Sequence, residues 1–424
     1  MTISPDELPA RLRALPAAAP LFDVLAGDSR LHVVGGAVRD LLLGGLPLDL
    51  DLVVEGDAAE LAARLAEGLG GELLVHDRFG TATVTAGARS YDLVRARAET
   101  YARPGALPEV RPGTLAQDLA RRDFTINAIA LTLAGRLDAV AHALDDLAEG
   151  ELRVLHAQSF LDDPTRLLRL VRYATRLGFG VERETARLAG EAVAGGALAT
   201  VTATRIGREL RLLLREPAAA DALAWVCGWG DGDALVPGLG FDAELAASAR
   251  ALMAGGAAGE AGGAPGAGGG SSRDDGRDDL LLLAVATRGV GRRLGAWLDA
   301  LGFAARERDA VVAAAQRSGR VAQRLRAAEG RASAIAAALD GAGPELAALA
   351  GALGGAEAAA AVARWRDELR HVRLEIDGGD LRRAGVPQGA AVGRGLAAAL
   401  AAKRDGEVAG REAELTVALA AAGG

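Results

Sequence analysis

Strand-like segments are confined to the first third of this chain, and from about Gly150 onward helical spacing takes over; this changeover limits the fold more than any other feature. Leu31–Val34 (LHVV) and Asp49–Val54 (DLDLVV) read as short strands, and GGAVRDLLLGG between them reads as a turn opening into a helix. Asp57–Leu69 has helical spacing, and Glu72–His76, Thr81–Thr85 and Arg89–Val94 are three more short strands divided by turn residues. An α/β (α+β) head is expected, with an all-α remainder behind it. DDPTRLLRLVRYATRLGF opens that remainder with an acidic start, Pro164 in the first turn and Gly178 near the stop.

At 424 residues the chain exceeds one compact core and suits two to four domains. From Gly255 to Gly270, nine of sixteen residues are Gly, with Pro265 among them and SSRDDGRDD behind, so a flexible linker or disordered insertion is expected over about 254–279. A single cysteine, Cys227, excludes an internal disulfide and a multi-cysteine metal cluster, and its apolar flanks read as those of a buried small hydrophobe. The apolar run Leu280–Ala286 stops at Thr287 and Arg288, and MTISPDELPARLRALP lacks the apolar core of a signal peptide. A soluble, cytoplasmic protein that does not enter a membrane is expected. The net charge of −8 argues against nucleic-acid binding on average, yet Arg288–Arg326 carries nine Arg against three acids.

Three constellations carry chemistry. In a strand, Asp49 and Asp51 face one side, and two hard carboxylates suit Mg²⁺ with phosphate oxygens as further ligands. Two carboxylates alone read equally as a solvated strand end. The preceding Gly35-Gly36 turn lets the backbone approach a phosphate, and Arg39 adds charge for a triphosphate, which makes a nucleotide-plus-metal site the better reading. Asp92 is either a third carboxylate on the same face or an ordinary exposed strand residue. In RRDFTINAIA, Asp123 and Asn127 are four apart and would share a helix face; the segment either clamps a helix or serves a site, and an Asn beside an apolar run needs buried partners. In the third, Arg166, Arg169, Arg172 and Arg176 fall on one helix face with no acid between Pro164 and Gly178, an arrangement that needs facing carboxylates or polyanions. Asp162 and Asp163 are N-terminal caps in the plain reading. In the functional one, Asp163 accepts from a base's exocyclic amine while Arg166 donates to ring nitrogens or carbonyls.

GGAVRD, DLD, RRDFTINAIA and DDPTRLLRLVRYATRLGF, in this order, resemble the class II tRNA nucleotidyltransferase and poly(A) polymerase family, and DGGDLRRAGVPQGAAVGRGLAAAL resembles its C-terminal segment. The resemblance implies a polymerase-β-like nucleotidyltransferase head (1–135) followed by an all-α neck that selects the nucleotide (136–225), a body (226–330) and a tRNA-binding tail (331–424). It implies that Asp49 and Asp51 hold two Mg²⁺ ions, one activating the tRNA 3′-hydroxyl and one stabilising pyrophosphate. Gly36, with Gly35 beside it, and Arg39 would cradle the triphosphate; Arg122, Asp123 and Asn127 would position sugar and phosphates. Asp163 and Arg166 would select CTP or ATP without a nucleic-acid template, supported by Arg169 and Arg172. The implied partners are the acceptor arm and 3′ end of tRNA, with CTP and ATP as substrates; the oligomeric state is not read from the sequence.

The chain departs from the family pattern in two places. Asp162 stands where a Glu is usual, and DAVAHALDDL has Ala141, His142 and Ala143 where two glycines are usual. The undeleted stretch from Tyr91 to Arg121 favours an enzyme able to add A. A-only or CC-only addition, poly(A) synthesis, and an inactive RNA-binding homologue are the alternatives. The basic span Arg288–Arg326 is expected to meet RNA phosphates. The five histidines read as structural or solvated, and Trp225, Trp229, Trp297 and Trp365 as core of the helical half.

Overall fold

Two short helices, α1 (Leu8–Ala14) and α2 (Ala19–Leu25), precede the first strand of the computed structural model, which describes residues 7–47, 49–76, 80–260 and 275–423. The chain divides into two units, Met1–Glu209 and Leu210–Gly424. In the first, β1 (Leu31–Val34) is buried at all four residues and turns through Gly35 into α3 (Gly36–Leu42). The strand β2 (Asp51–Val54) and the helix α4 (Ala58–Leu69) follow. Asp57 caps α4 by accepting from the amides of Ala59 and Glu60, and Gly70 ends it in a left-handed conformation. Then come β3 (Glu72–His76), β4 (Thr81–Ala86) and β5 (Arg89–Arg95), where the alternation of residues placed them.

β6 (Arg97–Thr100) and β7 (Glu109–Pro112) form a separate two-stranded ribbon, and α5 (Leu115–Ala120) leads to β8 (Ile129–Thr132) and β9 (Leu137–Ala139). The main sheet has the order β3-β4-β5-β2-β1-β8-β9, with β2 and β5 parallel and every other neighbouring pair antiparallel. Its last strand ends at Ala139, four residues past the expected head boundary of 135. Val34, Val53, Ala128 and Ala130 pack with Leu115 and Leu119 of α5.

The unit continues through α6 (Ala143–Glu149), β10 (Glu151–Leu152), α7 (Ser159–Asp162), α8 (Thr165–Leu177), β11 (Gly180–Val181), α9 (Arg183–Ala194) and the first seven residues of α10 (Ala203–Leu214), whose remainder belongs to the second unit. His142, at the start of α6, has φ of 67°, a left-handed conformation that glycine adopts freely and other residues seldom do.

Among its described residues the second unit holds helices and no strand: α11 (Ala219–Cys227), α12 (Ala243–Glu260), α13 (Asp275–Ala286), α14 (Leu294–Ala300), α15 (Ala305–Ala327), α16 (Ala332–Leu339), α17 (Pro344–Asp367), α18 (Gly378–Arg383), α19 (Ala390–Arg404) and α20 (Arg411–Gly423). The last three close on a small core of Ile376, Leu381, Ala399, Ala418 and Ala422.

Several expectations are corrected. The linker expected over 254–279 is helical at both ends, because α12 runs to Glu260 and α13 starts at Asp275; 261–274 lie outside the described residues. Asp49 precedes β2 in a bend, so strand alternation does not extend to it. The RRDFTINAIA segment is not an α-helix: a single 3-10 turn, Thr125–Asn127, leads directly into β8. Trp225 is 39% exposed, and Trp229, Trp297 and Trp365 are half-buried, so the tryptophans are not core. One helix, Pro344–His371, is long and apolar enough to cross a membrane by composition, which the sequence reading missed because its apolarity is mostly alanine. Half of that window is buried, and Gly355, at φ of 78°, kinks the helix so that neither straight arm reaches the ~20 residues a span needs. Cys227 is buried as expected, and burial pushes its thiol up to about 12.

Candidate active site

A cavity of about 490 Å³ opens in the first unit, within the size range of small-molecule sites. One wall is the turn between β1 and α3. Gly35 sits at φ 71°, ψ −134°, its amide donates to the Ile129 carbonyl of β8 at 3.0 Å, and its own carbonyl accepts from the Arg39 amide. A Cβ on Gly35 would lie 2.6 Å from Nη1 of Arg122 and 3.6 Å from Oδ2 of Asp51. The glycine therefore keeps open a space that a carboxylate and a guanidinium bound, and any side chain would fill it.

Asp51, the first residue of β2, lines the cavity; Asp49 is exposed and does not. Because Leu52 pairs with Leu93 in parallel register, Asp92 occupies on β5 the place that Asp51 occupies on β2, each one residue before the pair. Asp92 is exposed and accepts from Oγ1 of Thr83 at 2.6 Å. Among the described residues no group of three or more His, Cys, Asp or Glu is placed to hold a metal ion by itself. Asp51 and Asp92, at equivalent places on neighbouring strands, offer hard oxygens that fit a divalent cation taking its remaining ligands from phosphate and water; Asp49 stands in the bend before β2, outside the lining.

Arg39 lies behind the cavity rather than in its lining. It is 2% exposed, donates through Nε and Nη2 to Asp40 and through Nη1 to Oδ1 of Asn127 at 2.6 Å, and rests 5.2 Å from the centre of the Tyr173 ring. Asn127 passes the contact on, donating Nδ2 to Oδ1 of Asp123 at 2.9 Å. Oδ2 of Asp123 accepts from Nε and Nη2 of Arg169 at 2.8 and 2.6 Å. Burial works to raise the Asp123 pKa, but the Arg169 charge and these bonds outweigh it and hold the group down at about 2. So Asp123 and Asn127 do meet, through the 3-10 turn rather than a helix face, and the Asn has the buried partners it requires.

α8 supplies the opposite wall. Three of its four arginines are met by carboxylates: Arg169 by Asp123 and Glu209, Arg172 by Glu209, and Arg176 by Asp40. The Tyr173 ring sits among three guanidiniums, those of Arg39, Arg169 and Arg172, and meets Phe124 edge-on at 5.9 Å. Asp163 lies between α7 and α8, its Oδ1 accepting from the Thr165 amide and hydroxyl, and pairs with Arg205 at 2.8 Å. Arg166 is buried and fixed by bonds to Oγ of Ser159 and the Arg121 carbonyl, both 2.7 Å. Each of its terminal nitrogens thereby keeps one further N–H. Asp163 and Arg166 both line the cavity; Asp162 does not, and neither does Arg172.

The sequence reading missed a third wall. On the ribbon, Glu99 accepts from Arg97, from Arg121 at 2.9 Å and from the Tyr101 hydroxyl at 3.1 Å. The fully buried Asp118 accepts from both Arg121 and Arg122. Burial, with Glu99 beside it, pushes the Tyr101 hydroxyl up to about 12. Arg205, Arg208 and Glu209 of α10 complete the lining. For Glu209 a signal was available in the α8 stripe, which demanded carboxylates from elsewhere in the chain; Glu99 and Asp118 answer Arg97, Arg121 and Arg122 instead.

Residues 31–153 match the family described as Poly A polymerase head domain. The chain is 49% identical over 193 residues, 44% of its length, to an A-adding tRNA nucleotidyltransferase of Halalkalibacterium halodurans, of which the match covers 45%. It is 46% identical over 217 residues, 50% of its length, to a CC-adding tRNA nucleotidyltransferase of Deinococcus radiodurans, of which 57% is covered. The chain thus spans about half the length of the curated relatives it matches. Among solved structures, a CCA-adding enzyme in an apo form aligns over 99% of both chains with a TM-score of 0.83 at 28% identity. The Thermotoga maritima CCA-adding enzyme complexed with tRNA aligns over 99% of both, at 0.78 and 28%.

Proposed function

We infer that this chain, whose residues 31–153 belong to the poly(A) polymerase head-domain family, is a template-independent tRNA nucleotidyltransferase that adds C, A or both to the tRNA 3′ end from CTP and ATP. The observation that carries the reading is the joint lining of one cavity by the Gly35-Gly36 turn, Asp51, Arg122 and the Asp163–Arg166 pair. The similarity to A-adding, CC-adding and CCA-adding enzymes supports the same substrate class.

In this account the glycine turn and Arg122 take the triphosphate, whose negative charge suits a wall rich in guanidinium groups. Asp49 and Asp51, with Asp92 beside Asp51, would hold Mg²⁺, which would supply positive charge to the phosphates as the 3′-hydroxyl displaces pyrophosphate. Arg39, Asn127, Asp123 and Arg169 form a chain of contacts that fixes the floor behind the sugar. Arg39 is here a positioning residue rather than a ligand of the triphosphate, because its guanidinium is already spent on Asp40 and Asn127.

Asp163 and Arg166 would read the base. Cytosine and adenine each carry an exocyclic amine beside a ring nitrogen, so a carboxylate acceptor and a guanidinium donor serve both. Uracil and guanine place a keto oxygen where that amine would be, against the Asp163 carboxylate. The bonds that lock Arg166 keep the pair in register without a nucleic-acid template. We assign the residues up to the end of β9 at Ala139 as head, the following residues to 225 as neck, 226–330 as body and 331–424 as tail, with the cytoplasm as the site of action.

Asp51→Ala tests the reading. The variant should keep the wild-type thermal transition and lose nucleotide incorporation by at least about a thousandfold, since a carboxylate that holds the cation is gone. Full incorporation by a folded Asp51→Ala protein would contradict the assignment.

A further inference from the structure

β3 is the outer strand of the seven-stranded sheet. It pairs with β4 over five consecutive residues without a bulge, and among the described residues nothing pairs with its other edge. All five of its residues are exposed, and the central three are apolar: Leu73 at 39%, Leu74 at 58% and Val75 at 39%. Free sheet edges are ordinarily blunted by a lysine, a proline, a bulge or an inward charge. Leu73–Val75 has none of these, in a chain where a quarter of the residues are charged.

The order Glu-Leu-Leu-Val-His is complementary to itself when run in the opposite direction. With a two-fold axis at Leu74, Leu73 faces the second copy's Val75, Leu74 faces its own counterpart, and Glu72 faces an imidazole at both ends. A carboxylate accepts a hydrogen bond from that imidazole, neutral or charged. A slip of one residue would set Glu72 against Val75 and lose both polar pairs, so the pattern specifies a single register. A two-fold contact needs only one such self-complementary patch.

We propose that β3 pairs antiparallel with β3 of a second copy of this chain, across a two-fold axis at Leu74, joining two seven-stranded sheets. The inference goes beyond the proposed activity and does not depend on it. The test is sedimentation velocity of the full chain from low micromolar to tenths of millimolar concentration. The wild type should move from one-chain to two-chain mass, and Leu74→Lys, which sets two ammonium groups on the axis, should stay at one-chain mass with an unchanged melting temperature. Leu74→Cys provides a second measurement: mild oxidation should give an interchain disulfide, since paired strands bring Cα atoms within bridging range and the native Cys227 is buried. A wild type that stays at one-chain mass throughout would overturn the proposal. So would a Leu74→Lys protein that dimerises like the wild type, or a Leu74→Cys protein that crosslinks no faster when folded than when denatured.

Discussion

His142 shows how one residue can record a backbone requirement that its own side chain does not suit. It holds a left-handed φ at the start of α6, where the family pattern has glycine. A β-branched residue tolerates that conformation worse than histidine, so His142→Val should lower unfolding stability by about 1–2 kcal/mol, while His142→Gly should stay within about 1 kcal/mol. Denaturant midpoints of the two variants check this. Asp123 makes a second residue-scale prediction. Its folded pKa of about 2 lies below the ordinary aspartate value of 3.8, so its contribution to stability is complete above that value and is lost as pH falls towards 2. The wild type should lose about 2 kcal/mol across that window through this one group, and Asp123→Asn should remove that part of the acid limb. A pH-stability profile identical in the two proteins would contradict the pairing with Arg169. Gly35, Asp51, Asp163 and Arg166 were legible because their chemistry is local to short motifs. The burial of Arg39 was not, because its partner Asn127 lies 88 residues away.

Among elements, α8 and α15 make opposite use of arginine. On α8 three of the four guanidiniums are answered by Asp123, Glu209 and Asp40, so most of the charge that looked unbalanced in the sequence is neutralised from three distant segments, while Arg166 is held by a hydroxyl and a carbonyl. On α15, Arg306, Arg317, Arg320 and Arg324 fall within an arc of about 60° and are exposed. None of the four has a carboxylate partner among the described residues; Arg324 donates to the Ala337 carbonyl, and nearby Asp309 is taken by Arg308. Phosphate contacts would explain that face. Arg317→Gln with Arg320→Gln should weaken tRNA binding and flatten the plot of log affinity against log salt by about 2. An unchanged slope would mean that this face of α15 does not meet RNA phosphates. Strand and helix positions in the head were readable because period-two and period-3.6 patterns are strong there. The 3-10 turn at Thr125–Asn127 was not, since a spacing of four suits a helix equally well and only the following strand decides it.

For the whole molecule, the division into a sheet-bearing start and a helical remainder was visible in where the strand-like segments stop. What the sequence could not show was which surfaces converge. The ribbon carrying Glu99 and Tyr101, and α10 carrying Arg205 and Glu209, reach the cavity from places without a motif, and only the folded chain brings them to Arg121 and Arg169. The central claim is that this cavity extends a tRNA 3′ end with C, A or both. It is tested most directly with one tRNA prepared in three forms, ending at the discriminator base, after one C and after CC. Each form is incubated with Mg²⁺ and CTP, ATP or both, and products are resolved to single nucleotides. The account predicts addition to at least one form, confined to C and A and ending at a defined length, with the form that is extended separating CCA, CC-only and A-only activity. Absence of addition to all three forms, or unbounded A tails on any of them, would contradict it.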